Sequence, residues 1–169
     1  MRYDESSKEF NKEVSDLQKP VQLIITAMMV LTIVTGCRST TEKPLQDGTY
    51  FVTFDEPDST SWKAFMTLEI LDGKIVAVQY DYEGTGENQG KLKSEDVAYN
   101  EAMFATKGTN PVLYLEELRN ALLLHQDPDK VDTVSGATTS SRDFRTFSSA
   151  ALEAAREGNE EPIIITQPE

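Results

Sequence analysis

The run "DTVSGATTSS", Asp132 to Ser141, packs small hydroxyl residues, one glycine and one alanine into ten positions just ahead of an amphipathic segment. Two chemistries fit it. Hydroxyls before a helix accept its free N–H groups: Ser140 or Ser141 can cap, and Ser140 with Asp143 approximates a capping box. The same free N–H groups and the partial positive charge behind them also make an anion site. In that case Gly136 lets the backbone approach a ligand and Ala137 adds almost no bulk. Thr138 presents its hydroxyl just before the helix, beside a bound phosphate. Asp132 can accept N–H bonds from the turn and hold its shape. Composition leaves both readings open.

Few other side chains could do chemistry. The single cysteine, Cys37, excludes an internal disulfide and a thiolate metal cluster. The single histidine, His125, excludes a multi-histidine zinc or iron site and a haem held by two histidines. It ends "LRNALLLH" at a helix terminus, where a cation is mildly favoured, and reads as structural. No metal site and no catalytic acid, base or nucleophile is expected.

Sixteen basic residues against 29 acidic give a formal charge of -13. Such a chain is repelled by phosphate backbones, so nucleic-acid binding is not expected. Its field favours basic protein partners or solubility.

The strongly apolar run "VQLIITAMMVLTIVTGC", Val21 to Cys37, has the length of a signal-peptide core rather than a membrane span of about 20 residues. Its end, Val34-Thr35-Gly36-Cys37, resembles a bacterial lipobox, in which the cysteine receives lipid and becomes the new N-terminus. Residues 1–36 are therefore expected to be a signal peptide and residues 37–46 a lipidated, polar tether. The acid-rich stretch before Lys19 departs from the usual short basic start, and initiation nearer Leu17 would explain it. A short anchored helix with a cytoplasmic tail is the other reading.

The elements that must position the hydroxyl run follow from Asp47 onward. "GTYFVTF" (Gly48–Phe54) predicts a strand. "SWKAFMTLEILDGKIVAVQYDY" predicts a hairpin turning at Asp72-Gly73, with a second strand from Lys74 to Tyr82 that is apolar on both faces. Trp62 either stacks on a ligand or fills the core. Glu83–Ser94 reads as a loop, and Gly84-x-Gly86 within it as linker. Helices are expected from Ser94 to Lys107 and from Pro111 to about His125. An extended piece or strand at Val131–Val134 precedes the hydroxyl run. A final helix from Ser141 to Arg156 carries an apolar stripe that includes Phe144, Phe147 and Ala151. Gly158 stops it, and Ile163–Ile165 can add an edge strand. The order β-β-β-α-α-β-α predicts an α+β fold, a twisted antiparallel sheet with helices packed on it.

Asp132-x-x-Ser135-Gly136-Ala137-Thr138 resembles the flavinylation motif of the FMN-binding domain family residue for residue. "DGTYFVTF", "AYNEAMFATKGTNP", "DPDKVDTVSGATTSS" and "FSSAALEAAREG" resemble its lipid-anchored branch, so the likeness spans Asp47 to Gly158. It implies an FMN-binding domain at residues 47–158 and a C-terminal tail at 159–169. It further implies FMN joined by a phosphoester to Thr138, with Asp132, Ser135, Gly136, Ala137, Thr139 and Ser140 forming the surrounding site. An FMN transferase using FAD and magnesium makes that bond in the family. The implied role is electron transfer from a membrane redox donor to an outside acceptor, at the outer face of the bacterial cytoplasmic membrane. Two alternatives are a small-substrate FMN reductase domain and a non-redox binding lipoprotein. "MVLTIVTG" occupies the place from which some members of the branch release peptide pheromones.

Overall fold

The computed structural model describes residues 43–168; the expected signal segment, Cys37 and most of the tether lie outside them. Among the described residues, four strands and three α-helices follow in the order β1 (Gly48–Phe54), β2 (Trp62–Leu71), β3 (Lys74–Gly84), α1 (Val97–Lys107), α2 (Pro111–His125), α3 (Thr138–Glu157) and β4 (Ile163–Ile165). The strands form one sheet, ordered β3-β2-β1-β4.

The Asp72-Gly73 hairpin forms as expected. Both residues have positive φ, 52° and 68°, as a tight two-residue turn between right-twisted strands requires. Further along the hairpin, Ile70 opposes Ile75 but Glu69 opposes Ala77, so Val76 is an extra residue in β3. That bulge reverses the side-chain alternation. Ile75 on one side of it, and Val78, Tyr80 and Tyr82 on the other, therefore share one inward face. This is why β3 reads as apolar at both parities in the sequence.

β4 forms at Ile163–Ile165, but it runs parallel to β1, with Val52 opposite Ile163. The sheet is therefore mixed: three antiparallel strands and one short parallel edge. α3 packs across β1 and β2 and returns the chain in the direction of β1. Parallel neighbours need such a crossover.

Of the two readings of Val131–Val134, extended piece or strand, the strand does not form. Val131 and Val134 are buried, but the segment is anchored rather than laddered. Arg145 Nη1 donates to the Val131 carbonyl (3.1 Å) and the Thr133 hydroxyl (3.2 Å). Its apolar spacing records burial, not sheet pairing.

The helix starts show the local chemistry that sets them. α1 begins at Val97, later than expected, because Asp96 accepts the Tyr99 N–H at 3.0 Å; the preceding Lys93–Glu95 is a separate 3-10 turn. α2 begins at Pro111 as expected, capped by Asn110 on the Leu113 N–H at 3.0 Å. It buries Leu115, Leu118 and Leu122 and ends at exposed His125. Gln126 follows in the left-handed region, and its amide pairs with both the N–H (2.8 Å) and the carbonyl (3.0 Å) of Ile75. That bond pair pins α2 to β3.

The core lies between the sheet and the helices α2 and α3. Phe147 meets Phe54 edge-on with ring centroids 4.6 Å apart, and Phe144 meets Tyr80 at 5.1 Å. Gln46, placed in the tether by its sequence, is part of this body: its N–H donates to the Ala155 carbonyl at 2.9 Å.

Candidate functional site

The hydroxyl run divides into a turn and a helix start. The Ala137 N–H donates to the Val134 carbonyl at 3.0 Å, closing a four-residue turn. Gly136 sits third in it with φ 80°, the conformation that a type II turn demands at that place. A Cβ there would stand 3.0 Å from the Lys107 carbonyl and 3.2 Å from Thr109 Cγ2. Gly136 is therefore required twice, for its φ and for close approach to the end of α1.

α3 starts at Thr138, three residues before the expected Ser141, with Ala137 in the capping position and no side-chain cap. The expected serine caps and the Ser140–Asp143 box do not form. Ser141 points inward: its hydroxyl accepts the Val134 N–H (3.0 Å) and donates to the Ala137 carbonyl (2.9 Å). The Asp143 carboxylate is taken by Arg142, at 3.0 Å from Nη2. Ser141 is the first α3 residue whose N–H reaches a helical acceptor, the Ala137 carbonyl. Among the described residues no partner takes the N–H groups of Thr138, Thr139 and Ser140, as a helix start leaves them. Thr138 is thus the first residue of the helix rather than the one before it. It is exposed, and among the described residues none hydrogen-bonds its hydroxyl.

That helix start opens into a cleft of about 750 Å³ lined by Gly136, Ala137, Thr138, Thr139 and Ser140. The sheet supplies Phe54, Trp62, Ala64 and Tyr82, and α1 supplies Tyr99, Ala102, Met103, Thr106 and Lys107. Tyr114, Asp58, Thr60, Lys93, Asp143 and Gln167 complete the lining. Trp62 is both a core residue, 3% exposed, and part of this wall.

Charges in the wall are held in unusual surroundings. Burial lifts the Asp143 carboxyl above the ordinary carboxylate range, against the pull of Arg142. Burial pulls Lys93 down, against Asp58 and Asp81. The Tyr80 and Tyr82 hydroxyls lie 2.9 Å apart, and Tyr80 donates to the Ser140 carbonyl at 3.2 Å. Burial pushes Tyr82 up to about 12. These phenols stay protonated and support the first turn of α3 from beneath.

Of the residues singled out from the sequence, the cleft brings together Gly136 to Ser140. Asp132 and Ser135 are exposed and lie outside its lining. Among the described residues none hydrogen-bonds the Asp132 carboxylate; Ser141 and Arg145 hold this segment instead. Sequence reasoning missed Lys93, Asp58, Tyr82, Tyr99, Tyr114 and Asp143. Only the strand parity of Tyr80 and Tyr82 offered a local signal, and the Val76 bulge obscured it.

An open helix start leading into an aromatic cleft defines a domain for a phosphorylated, planar ligand. Residues 61–153 match the FMN-binding domain, and the chain belongs to that family. It is 38% identical over 136 residues to the 15 kDa lipoprotein of Treponema pallidum (strain Nichols), covering 80% of this chain and 93% of the relative. It also resembles the crystal structure of a Clostridium perfringens protein, with a TM-score of 0.68 and 33% identity over 73% of this chain and 99% of that one. The residues present fit FMN. The open start of α3 suits a phosphate, and the aromatic cleft, whose volume falls in the range of small-molecule pockets, suits the ring.

Proposed function

We propose that this chain is a lipid-anchored, extracytoplasmic flavoprotein that carries FMN in phosphoester linkage to Thr138 and passes electrons from a membrane redox protein to an outside acceptor. The observation that carries this reading is Thr138 itself: an exposed hydroxyl, unengaged by any described residue, at an open helix start that forms one end of the cleft. In the attachment step the Thr138 Oγ1–phosphorus bond forms as the pyrophosphate bond of FAD breaks. AMP leaves, and the threonine proton is lost; the FMN transferase supplies the catalysis. The α3 N–H groups would hold the phosphate, Gly136 keeps the turn against the end of α1 so that Thr138 stays at the cleft, and the aromatic wall would keep water from the ring. FMN, when bound, supplies the one- and two-electron chemistry. A covalent bond prevents loss of the cofactor where no dependable pool of it exists. Lipid attachment at Cys37 is supported by the lipobox and by the name of the Treponema relative.

Coexpression with an FMN transferase, followed by intact-mass analysis, tests the attachment. The wild-type chain gains one FMN less one water, and Thr138→Ala does not; an unmodified wild type refutes it. Rapid turnover of fumarate, quinone or a ferric chelate by the loaded domain alone would instead favour a reductase.

A further inference from the structure

Lys93 has no role in the attachment chemistry, yet it is a buried lysine. Its 3-10 turn is fixed from two sides. Asp81 Oδ1 accepts the N–H groups of Tyr82 (2.8 Å) and Ser94 (3.3 Å), and Oδ2 accepts the Ser94 hydroxyl at 2.5 Å. From α1, Asn100 Nδ2 donates to the carbonyls of Lys93 (3.1 Å), Ser94 (3.1 Å) and Asp96 (2.7 Å). The Lys93 side chain is 8% exposed. Its ammonium lies 4.6 Å from the Tyr82 ring centroid, 5.1 Å from Tyr99 and 5.7 Å from Trp62. Asp58 Oδ2 stands 3.9 Å away, the outer limit of an ion pair.

A buried ammonium is usually compensated by a carboxylate in hydrogen-bond contact. Here ring faces from three elements do much of that work, and the carboxylate stays at a distance. The positive charge is therefore incompletely neutralised, and it belongs to the same cleft wall as Thr138. The other cation in that wall, Lys107, is exposed.

We propose that Lys93, held in its cage of Trp62, Tyr82 and Tyr99, is the residue that sets how readily the flavin of this cleft is reduced. The inference rests on the reading that FMN occupies the cleft. Oxidised FMN takes up two electrons and one proton to become an anion, the electrons coming from a low-potential donor. A fixed cation beside the ring stabilises that added negative charge. Asp58 works in the opposite sense, because its carboxylate offsets part of the Lys93 charge. The groups facing the ammonium are Asp58 from the β1–β2 loop, Asp81 and Tyr82 from β3, Trp62 from β2 and Tyr99 from α1.

The test is a dithionite titration of the transferase-loaded full chain against redox dyes, with loading checked separately by intact mass. Lys93→Met lowers the reduced-to-oxidised ratio at a fixed potential by about tenfold or more, as loss of a nearby poorly screened charge requires. Lys93→Arg keeps that ratio near the wild-type value. Asp58→Asn, which retains an oxygen for the Thr60 and Trp62 N–H groups, raises it. Opposite signs at two neighbouring positions are not what loosened packing produces. A loaded Lys93→Met with an unchanged ratio overturns the role of Lys93 and leaves the flavin reading standing. If Lys93→Met fails to fold, Asp58→Asn decides: an unchanged or lower ratio overturns the inference. A wild-type chain that takes no flavin overturns the underlying reading and this inference with it.

Discussion

The hydroxyl of Ser141 accepts the backbone N–H of Val134 at 3.0 Å from inside the turn that precedes α3. The contact is fully buried, and the same hydroxyl donates to the Ala137 carbonyl. The loop presenting Thr138 is thus braced by an inward-facing serine, while Thr138 and Thr139 face solvent. Ser141→Ala leaves the buried Val134 N–H without its partner. The expected cost is about 1–3 kcal/mol, read from urea midpoints, with a fall in flavin loading. Thr139→Ala, at an exposed position, leaves the midpoint within about 0.5 kcal/mol of wild type.

Gly136→Ala tests the turn from its other side. The left-handed backbone costs a non-glycine residue about 1–2 kcal/mol, and the new Cβ presses on the Lys107 carbonyl and Thr109. A lower melting temperature is expected together with poorer FMN attachment, because the shifted loop misplaces Thr138. Equal stability and equal loading would count against the close approach of the turn to α1.

Asp143 makes a pH-dependent prediction. Burial raises its pKa in the folded chain above the ordinary aspartate value, so the folded state binds the proton more tightly than the unfolded state does. Its contribution to stability is full below the ordinary aspartate value and is lost as pH rises through the raised folded value. Asp143→Asn keeps an oxygen for Arg142 but cannot ionise. The stability of the variant relative to wild type should therefore increase with pH across that window and then level off. Paired urea titrations measure the difference, and a flat difference would show that the carboxylate bears no burial penalty.

Ser94→Ala removes the hydroxyl bond to Asp81 and leaves a buried carboxylate short of a donor. A loss of about 1–3 kcal/mol is expected, again from urea midpoints. Faster amide exchange confined to the Lys93–Glu95 turn would locate the effect.

Local patterns were readable where local chemistry decides. Asp72-Gly73 specified its own turn, Pro111 its own helix start, and the stripe of Phe144, Phe147 and Ala151 its buried face. The threonine and its glycine could be singled out because the motif is contiguous. What could not be read depends on distant partners. Ser141 looks like a cap until Val134 is placed beside it. Lys93 looks like loop charge until Trp62, Tyr82 and Tyr99 converge from three elements. The extra residue at Val76 shifts the register of β3 without any glycine or proline to mark it. The direction of β4 is set by where α3 delivers the chain, which no three-residue run of isoleucine can encode.

The bond from Gln46 to Ala155 has a consequence for reach. Ala155 lies in the last turn of α3 and Thr138 at its first residue. Seventeen residues of helix at 1.5 Å each separate them by about 26 Å. Gln46 and the proposed attachment residue, Thr138, therefore lie at opposite ends of one stiff rod. On the proposed reading, a partner docking at the cleft would meet the end of α3 remote from the point where the N-terminal segment joins the body.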